Sequence, residues 1–198
     1  SPGDPPLWWS PDPRVVFDTD GVRLSSRFRR SLRGSPWMLR LDGDFDGVVA
    51  DCAHAPRPGQ EGTWITPGMR EAYGRLHRLG HAHCIEVMEG DRRVGGLYGV
   101  AIGRMFFAES MFSASSGGSK VALAGLARVL ADWGWPLIDA QVGNPHLDFL
   151  GARTLARPAF LAEIRRLVDA PGRVGSWASD VQPFPASRLA GRPASRDA

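Results

Sequence analysis

One carboxylate and one amide stand two residues apart in Leu137-Ile138-Asp139-Ala140-Gln141-Val142, just ahead of Gly143-Asn144-Pro145-His146. In a strand, residues i and i+2 face the same way. Asp139 and Gln141 are therefore expected side by side, turned away from the face that carries Ile138 and Val142. An acid paired with an amide at a strand end can hold a proton or orient an incoming group, the work of acid–base chemistry. The same pair also fits a solvated strand face with no chemical task. A second cluster is His77, His81 and His83. A strand puts His81 and His83 on one face, but no third ligand accompanies them, so a packing role is favoured and no metal is expected.

The elements that position these groups follow from periodicity and breakers. Residues 15–24 read as a strand and turn, and 37–41 as a short strand. Phe45, Val48, Val49 and Cys52 recur at helical spacing. Thr66-Pro67 is a helix start. Its buried stripe is Met69, Ala72, Tyr73, Leu76 and Leu79, and Gly80 is the stop. Strands are expected over 81–88, 94–102 and 105–112, with a turn at 89–92. A polar loop at 113–118 leads into a helix over 119–133, then the strand 137–142. A last helix starts at Pro158. This order predicts an α+β fold with a mixed sheet flanked by helices. The loop before Ser119 offers backbone N–H groups at a helix N-terminus, a ready anion site.

Composition bounds the partners. Hydrophobic residues make up 43% and charged residues 23% of 198, an ordinary globular balance. No apolar run approaches the ~20 residues of a membrane span, so no membrane partner is expected. Cys52 and Cys84 lack CxxC or zinc spacing and fit buried thiols in a reducing cytoplasm. Net charge is only +3, and Lys120 is the single lysine. Arg27, Arg29, Arg30 and Arg33 interleave with Phe28 and Leu32 as an amphipathic segment with one basic face. That face suits a phosphate backbone or a solvated surface. Residues 1–13 hold five prolines with Trp8 and Trp9, an extended stretch with aromatic anchors. From Pro171 onward Pro, Ala, Arg, Ser and Gly dominate, and this tail is expected to be disordered. GxGxxG, P-loop, GxSxG and HExxH motifs are absent.

An ordered set of segments resembles the leucyl/phenylalanyl-tRNA–protein transferases. It runs through Leu7-Trp8-Trp9-Ser10-Pro11-Asp12-Pro13-Arg14, Glu61-Gly62-Thr63-Trp64-Ile65-Thr66-Pro67 and Tyr73 to His83. It continues through Val94 to Gly103, Glu109-Ser110-Met111-Phe112-Ser113, Ser119 to Leu123 and Leu137 to His146, and covers roughly residues 1–165. The resemblance implies transfer of Leu, Phe or sometimes Met from aminoacyl-tRNA to the N-terminal Arg or Lys of a protein, marking it for bacterial degradation. It implies a GCN5-related acyltransferase (GNAT)-like mixed sheet with a partial N-terminal subdomain. Residues 1–60 would then be the remainder of that smaller domain, 61–170 the catalytic domain and 171–198 the tail. A cytoplasmic monomer that needs no cofactor is expected.

By the same resemblance Gln141 orients or polarises the attacking amine, Asp139 holds Gln141, and Glu109 either orients the donor's own α-amine or is an ordinary strand-end carboxylate. Direct binding of the acceptor's cationic side chain by Asp139 is the alternative. Asn144 is a second polar candidate beside the acceptor, or a turn residue before Pro145. Leu97, Phe106, Leu126, Leu130 and Ile138 match positions for an apolar side-chain pocket, or are plain core. Trp64 and Tyr73 match aromatics that stack on or bracket the terminal adenosine, or are core aromatics flanking a helix start, and the Arg27–Arg33 cluster reads as a tRNA backbone contact. Two other readings compete. One is an acyltransferase using acyl-CoA, which the absence of a Q/R-x-x-G-x-G/A pattern before Ser119 counts against. The other is an inactive tRNA-binding remnant, since the family carries a further portion upstream of Ser-Pro-Gly-Asp.

Overall fold

The computed structural model describes residues 10–56 and 62–191. The Trp8 and Trp9 anchors, the loop at 57–61 and residues 192–198 lie outside the described residues. The described strands form one eight-stranded sheet, β7-β1-β6-β5-β4-β3-β2-β8. They are β1 (Arg14–Asp18), β2 (Met38–Leu41), β3 (Ala82–Glu89), β4 (Arg92–Ile102), β5 (Met105–Ser113), β6 (Leu137–Gln141), β7 (Arg153–Leu155) and β8 (Phe184–Pro185). Only the β5–β6 pair is parallel, joined by helix α4 (Gly118–Asp132). The other neighbours are antiparallel. Strands from both sides of residue 60 share this sheet, so the expected break between domains is not a break between sheets.

Helix α4 is apolar on nearly every side because it lies flat on the sheet, with Val121, Ala122, Leu123, Leu126 and Leu130 almost fully buried. Its approach is close at the start: a Cβ on Gly95 would fall 2.4 Å from the Gly118 carbonyl carbon. Glycine at both positions lets backbone meet backbone. The remaining helices are α1 (Ser26–Leu32), α2 (Phe45–His54), α3 (Pro67–Arg78), α5 (Pro145–Phe149) and α6 (Arg157–Val168). Ser25, Asp44, Thr66 and Asn144 cap the first, second, third and fifth by accepting a backbone N–H. The stripe expected on α3 holds in part. Tyr73 is buried and Met69 and Leu76 half-buried, but Ala72 is exposed and Leu79, past the helix end, is 57% exposed.

The disordered tail is corrected for residues 171–191. Trp177 is 1% exposed and lies among Phe106, Trp133 and Trp135. It stacks on His83 with ring centroids 3.6 Å apart. Asp42 ties both residues down: its Oδ2 accepts from the Trp177 backbone N–H at 2.8 Å and pairs with His83 Nδ1 at 2.9 Å. His83 is thus a core histidine, while His81 is exposed. Phe184 joins the sheet through β8, and the Ala186 N–H donates to the Trp37 carbonyl. The composition of the segment concealed two aromatic anchors large enough to outweigh its ordering entropy. Trp177→Ala is expected to destabilise the chain by about 3–5 kcal/mol in urea unfolding, the range for a buried Trp or Phe truncation. A loss below ~1 kcal/mol would show that the segment does not contribute to the core.

Candidate active site

Strands β5 and β6 pair from Met105 with Leu137 to Phe107 with Asp139. Beyond that point they part. β5 continues along β4 to Ser113, whereas β6 stops at Gln141. Gln141 has φ 64°, in the left-handed region. The Val142 N–H donates to the Ala140 carbonyl at 2.8 Å, closing a γ-turn centred on Gln141. With a positive central φ this is the rarer, strained form of that turn.

Two groups stabilise the turn. The Gln141 N–H donates to Asp139 Oδ1 at 2.8 Å. The Gln141 side chain spans the wedge, with Nε2 donating to the Ala108 carbonyl at 3.0 Å and to Glu109 Oε2 at 3.3 Å. Asp139 is 0% exposed, so its charge needs a partner. Arg14, on the neighbouring strand β1, supplies it with a fork. Nε lies 3.0 Å from Oδ1 and Nη2 lies 2.7 Å from Oδ2. The Arg14 guanidinium also lies 5.1 Å from the centre of the Phe160 ring of α6. Asp139 therefore holds Gln141 through the backbone N–H, not through the side chain. The solvated strand face is corrected for Asp139: the Arg14 guanidinium, itself packed against Phe160, closes over it, while Gln141 stays half-buried.

Glu109 continues the chain of polar groups. Burial pushes its carboxyl above the usual range and nearby Asp139 adds to this, while hydrogen bonds from the Tyr73 hydroxyl and the Gln141 amide oppose it. The Tyr73 phenol is pushed up by burial and by Glu109, so it stays a neutral donor. Because the raised Glu109 value means that the folded chain keeps a proton the unfolded chain has lost, its contribution to stability is unfavourable above the folded pKa. The penalty vanishes below the reference value of ~4.3. Glu109→Gln is thus expected to gain stability relative to the parent as pH rises through that interval. Urea unfolding across pH reads this out, and parallel pH profiles would contradict it.

Tyr73 meets Trp64 edge to face at 6.3 Å. Trp64 is 43% exposed and is joined to the wedge through Tyr73. The site thus combines a fixed amide, a carboxylate of raised pKa and an aromatic platform.

The profile of the leucyl/phenylalanyl-tRNA protein transferases matches residues 16–165. The chain belongs to this family. It is therefore an aminoacyltransferase. A relative named leucyl/phenylalanyl-tRNA–protein transferase from Xanthomonas euvesicatoria pv. vesicatoria (strain 85-10) is 62% identical over 96% of this chain and 76% of its own length. One of the same name from Xylella fastidiosa (strain M23) is 57% identical over 88% of this chain and 72% of its own. A solved structure of a functionally unknown conserved protein from Staphylococcus epidermidis ATCC 12228 overlays at TM-score 0.48 with 11% identity, covering 73% of this chain and 57% of its own. That likeness is too slight to bear on the fold or the site.

In this aminoacyltransferase the other expected site residues fall in three places. Leu97, Phe106, Leu126, Leu130 and Ile138 are all within the main core cluster and at most 2% exposed. Asn144 is exposed, and its Oδ1 accepts from the Leu147 N–H at 3.0 Å as the cap of α5. Arg27, Arg29, Arg30 and Arg33 lie on or just after α1, without a carboxylate partner among the described residues. The anion site expected at the start of α4 is already engaged. The Gly118 N–H donates to the Ser115 carbonyl and the Ser119 N–H to Ser113 Oγ at 2.8 Å. Arg14, which partners Asp139, is not among the site residues expected from the sequence. It lies 125 positions from Asp139 and carries no local pattern.

Proposed function

We propose that this chain transfers Leu, Phe and, less readily, Met from aminoacyl-tRNA to the N-terminal Arg or Lys of acceptor proteins in a bacterial cytoplasm, marking them for degradation. The observation that carries the reading is the strained turn at Gln141, fixed by Asp139 and Arg14 and linked through Glu109 and Tyr73 to the exposed Trp64. The parting of parallel strands at the site supports a GNAT-like arrangement. Residues 61–170 carry most of the catalytic groups, and residues 1–60 add Arg14 and the α1 arginines.

An aminoacyl ester is already activated, so placing an amine against its carbonyl supplies much of the acceleration. Gln141 Oε1 takes no hydrogen bond from the described residues and serves as acceptor for one N–H of the incoming amine, aiming its lone pair at the ester carbon. The C–N bond forms, the ester C–O bond breaks, and the proton lost by the amine ends on the released ribose hydroxyl. Glu109 holds the α-ammonium of the donor. Tyr73 keeps Glu109 in place, and Trp64 stacks on the terminal adenosine, a contact worth ~1–3 kcal/mol. Asp139, sealed by Arg14, positions Gln141 and does not touch the acceptor. Selectivity for Leu and Phe comes from the apolar residues Leu97, Phe106, Leu126, Leu130 and Ile138 behind the wedge, with Asn144 at its rim. An apolar site separates side chains by only ~1–3 kcal/mol per methylene, so Met is tolerated. The engaged N–H groups at α4 weigh against acyl-CoA.

The test is transfer of labelled Leu, Phe or Met from charged tRNA to peptides that begin with Arg, Lys, Ala or Glu. Product is expected with Arg and Lys only, in the donor order Leu and Phe over Met. Equal product with the Ala peptide would overturn the acceptor assignment.

A further inference from the structure

A groove of about 880 Å³ lies between the turn after β1, the second half of α4 and the 186–190 turn. Arg23, Arg29, Arg128 and Arg188 line it, against the two carboxylates Asp20 and Asp132. Arg128 shares its Nε with Asp132 at 3.1 Å, leaving the outer guanidinium nitrogens uncommitted to that pair. Arg188 lies 5.7 Å from the centre of the Phe184 ring. Arg23, Arg29 and Arg188 have no carboxylate within ion-pair distance among the described residues. Arg29 Nε is buried with no hydrogen-bond partner among them, an unusual state for a guanidinium nitrogen. A second groove of about 290 Å³, lined by Arg30 and Arg33, shares Arg29 and Gly191 with the first. The two therefore form one basic track with Arg29 at its centre.

The direction of the track relative to the site follows from α4. Its first turn is tied to the end of β5 by the bond between Ser113 and Ser119, on the same strand as Glu109. Its last turns carry Arg128 into the groove. Ala124 and Arg128, both lining the groove, lie about 9 and 15 Å along the helix axis from Gly118, so the groove faces the later turns of α4, away from its tie to β5. A small anion would be met by one compact cradle. Arginines spread over four segments (the turn after β1, α1, α4 and the 186–190 turn) and two joined grooves suit a polyanion with repeated phosphates.

We infer that this track binds the phosphate backbone of the donor tRNA beyond its aminoacylated end, through Arg23, Arg128 and Arg188 as an extension of the α1 arginines. The inference rests on the transferase reading. These contacts are backbone contacts, so they act on any tRNA regardless of sequence and weaken with salt.

The test compares the full chain with the triple variant R23Q/R128Q/R188Q on two donors: leucyl-tRNA and an aminoacyl-adenosine that lacks the tRNA body. With leucyl-tRNA, KM is expected to rise about tenfold or more. The slope of log affinity for uncharged tRNA against log salt should fall by about two to three, near one per lost phosphate contact. Transfer from aminoacyl-adenosine should stay within about twofold of the parent. An unchanged KM and salt slope with tRNA would overturn the inference. So would an equal loss with both donors, which would place the effect in the site or the fold. Failure of the parent chain with both donors would instead remove the transferase reading, and this inference with it.

Discussion

Arg14→Ala is expected to lower single-turnover transfer at least ~100-fold and to destabilise the chain by about 3–5 kcal/mol, the usual result of removing one partner of a buried ion pair. Asp139 is 0% exposed, and Arg14 meets both its oxygens. Without the guanidinium, the carboxylate keeps only the Gln141 N–H among the bonds described here. The loss reaches the chemistry because the same carboxylate holds the γ-turn that aims the Gln141 side chain. Arg14→Lys restores the charge but not the fork, so it should recover part of the stability and little of the rate. Urea unfolding and rapid-quench transfer check the two halves separately. Wild-type stability and rate in Arg14→Ala would show that the pair is incidental.

Gln141→Gly separates chemistry from folding. At φ 64° a side chain with a Cβ costs about 1–2 kcal/mol, whereas glycine takes this region freely. Removing the side chain also removes its bonds to the Ala108 carbonyl and Glu109, worth about 0.5–1.5 kcal/mol each. The terms offset, so stability should stay within about 1 kcal/mol of the parent. Transfer should fall ~10²–10³-fold, as for loss of a preorganised polar group in other active sites. Affinity for tRNA should not change if, as proposed, Gln141 meets the amine and not the nucleic acid. A variant that is both inactive and unfolded would contradict this account of the turn. So would one that keeps full activity.

Much of this arrangement is legible in the sequence because it depends on local pattern. The strand at Leu137, the Thr66-Pro67 cap and the apolar helix after Ser119 follow from alternation, capping chemistry and helical spacing. Alternation fixes which residues share a face but not what covers that face. Asp139 and Gln141 therefore read as a solvated pair, although the Arg14 side chain, backed by Phe160, closes over the acid. The turn at Gln141 is set by long-range bonds to Asp139 and across to β5, which no local propensity encodes. Arg14 looks like any arginine after a proline. Residues 171–191 misled in the opposite way, since average composition outweighs two buried aromatics in any window-based reading. The short elements α5 and β7 escaped notice because three to five residues give periodicity too little length.

The proposed role of Gln141, held by the Arg14–Asp139 pair, is to present an amine to an aminoacyl ester. The most direct measurement is rapid-quench transfer of labelled Leu from leucyl-tRNA to a peptide beginning with Arg, run side by side for the parent chain and Gln141→Gly, with tRNA binding measured on the same preparations. Transfer by the parent, a loss of at least ~100-fold in the variant and equal tRNA affinity in both are expected. Equal rates from the two proteins, or no transfer by the parent, would contradict that role.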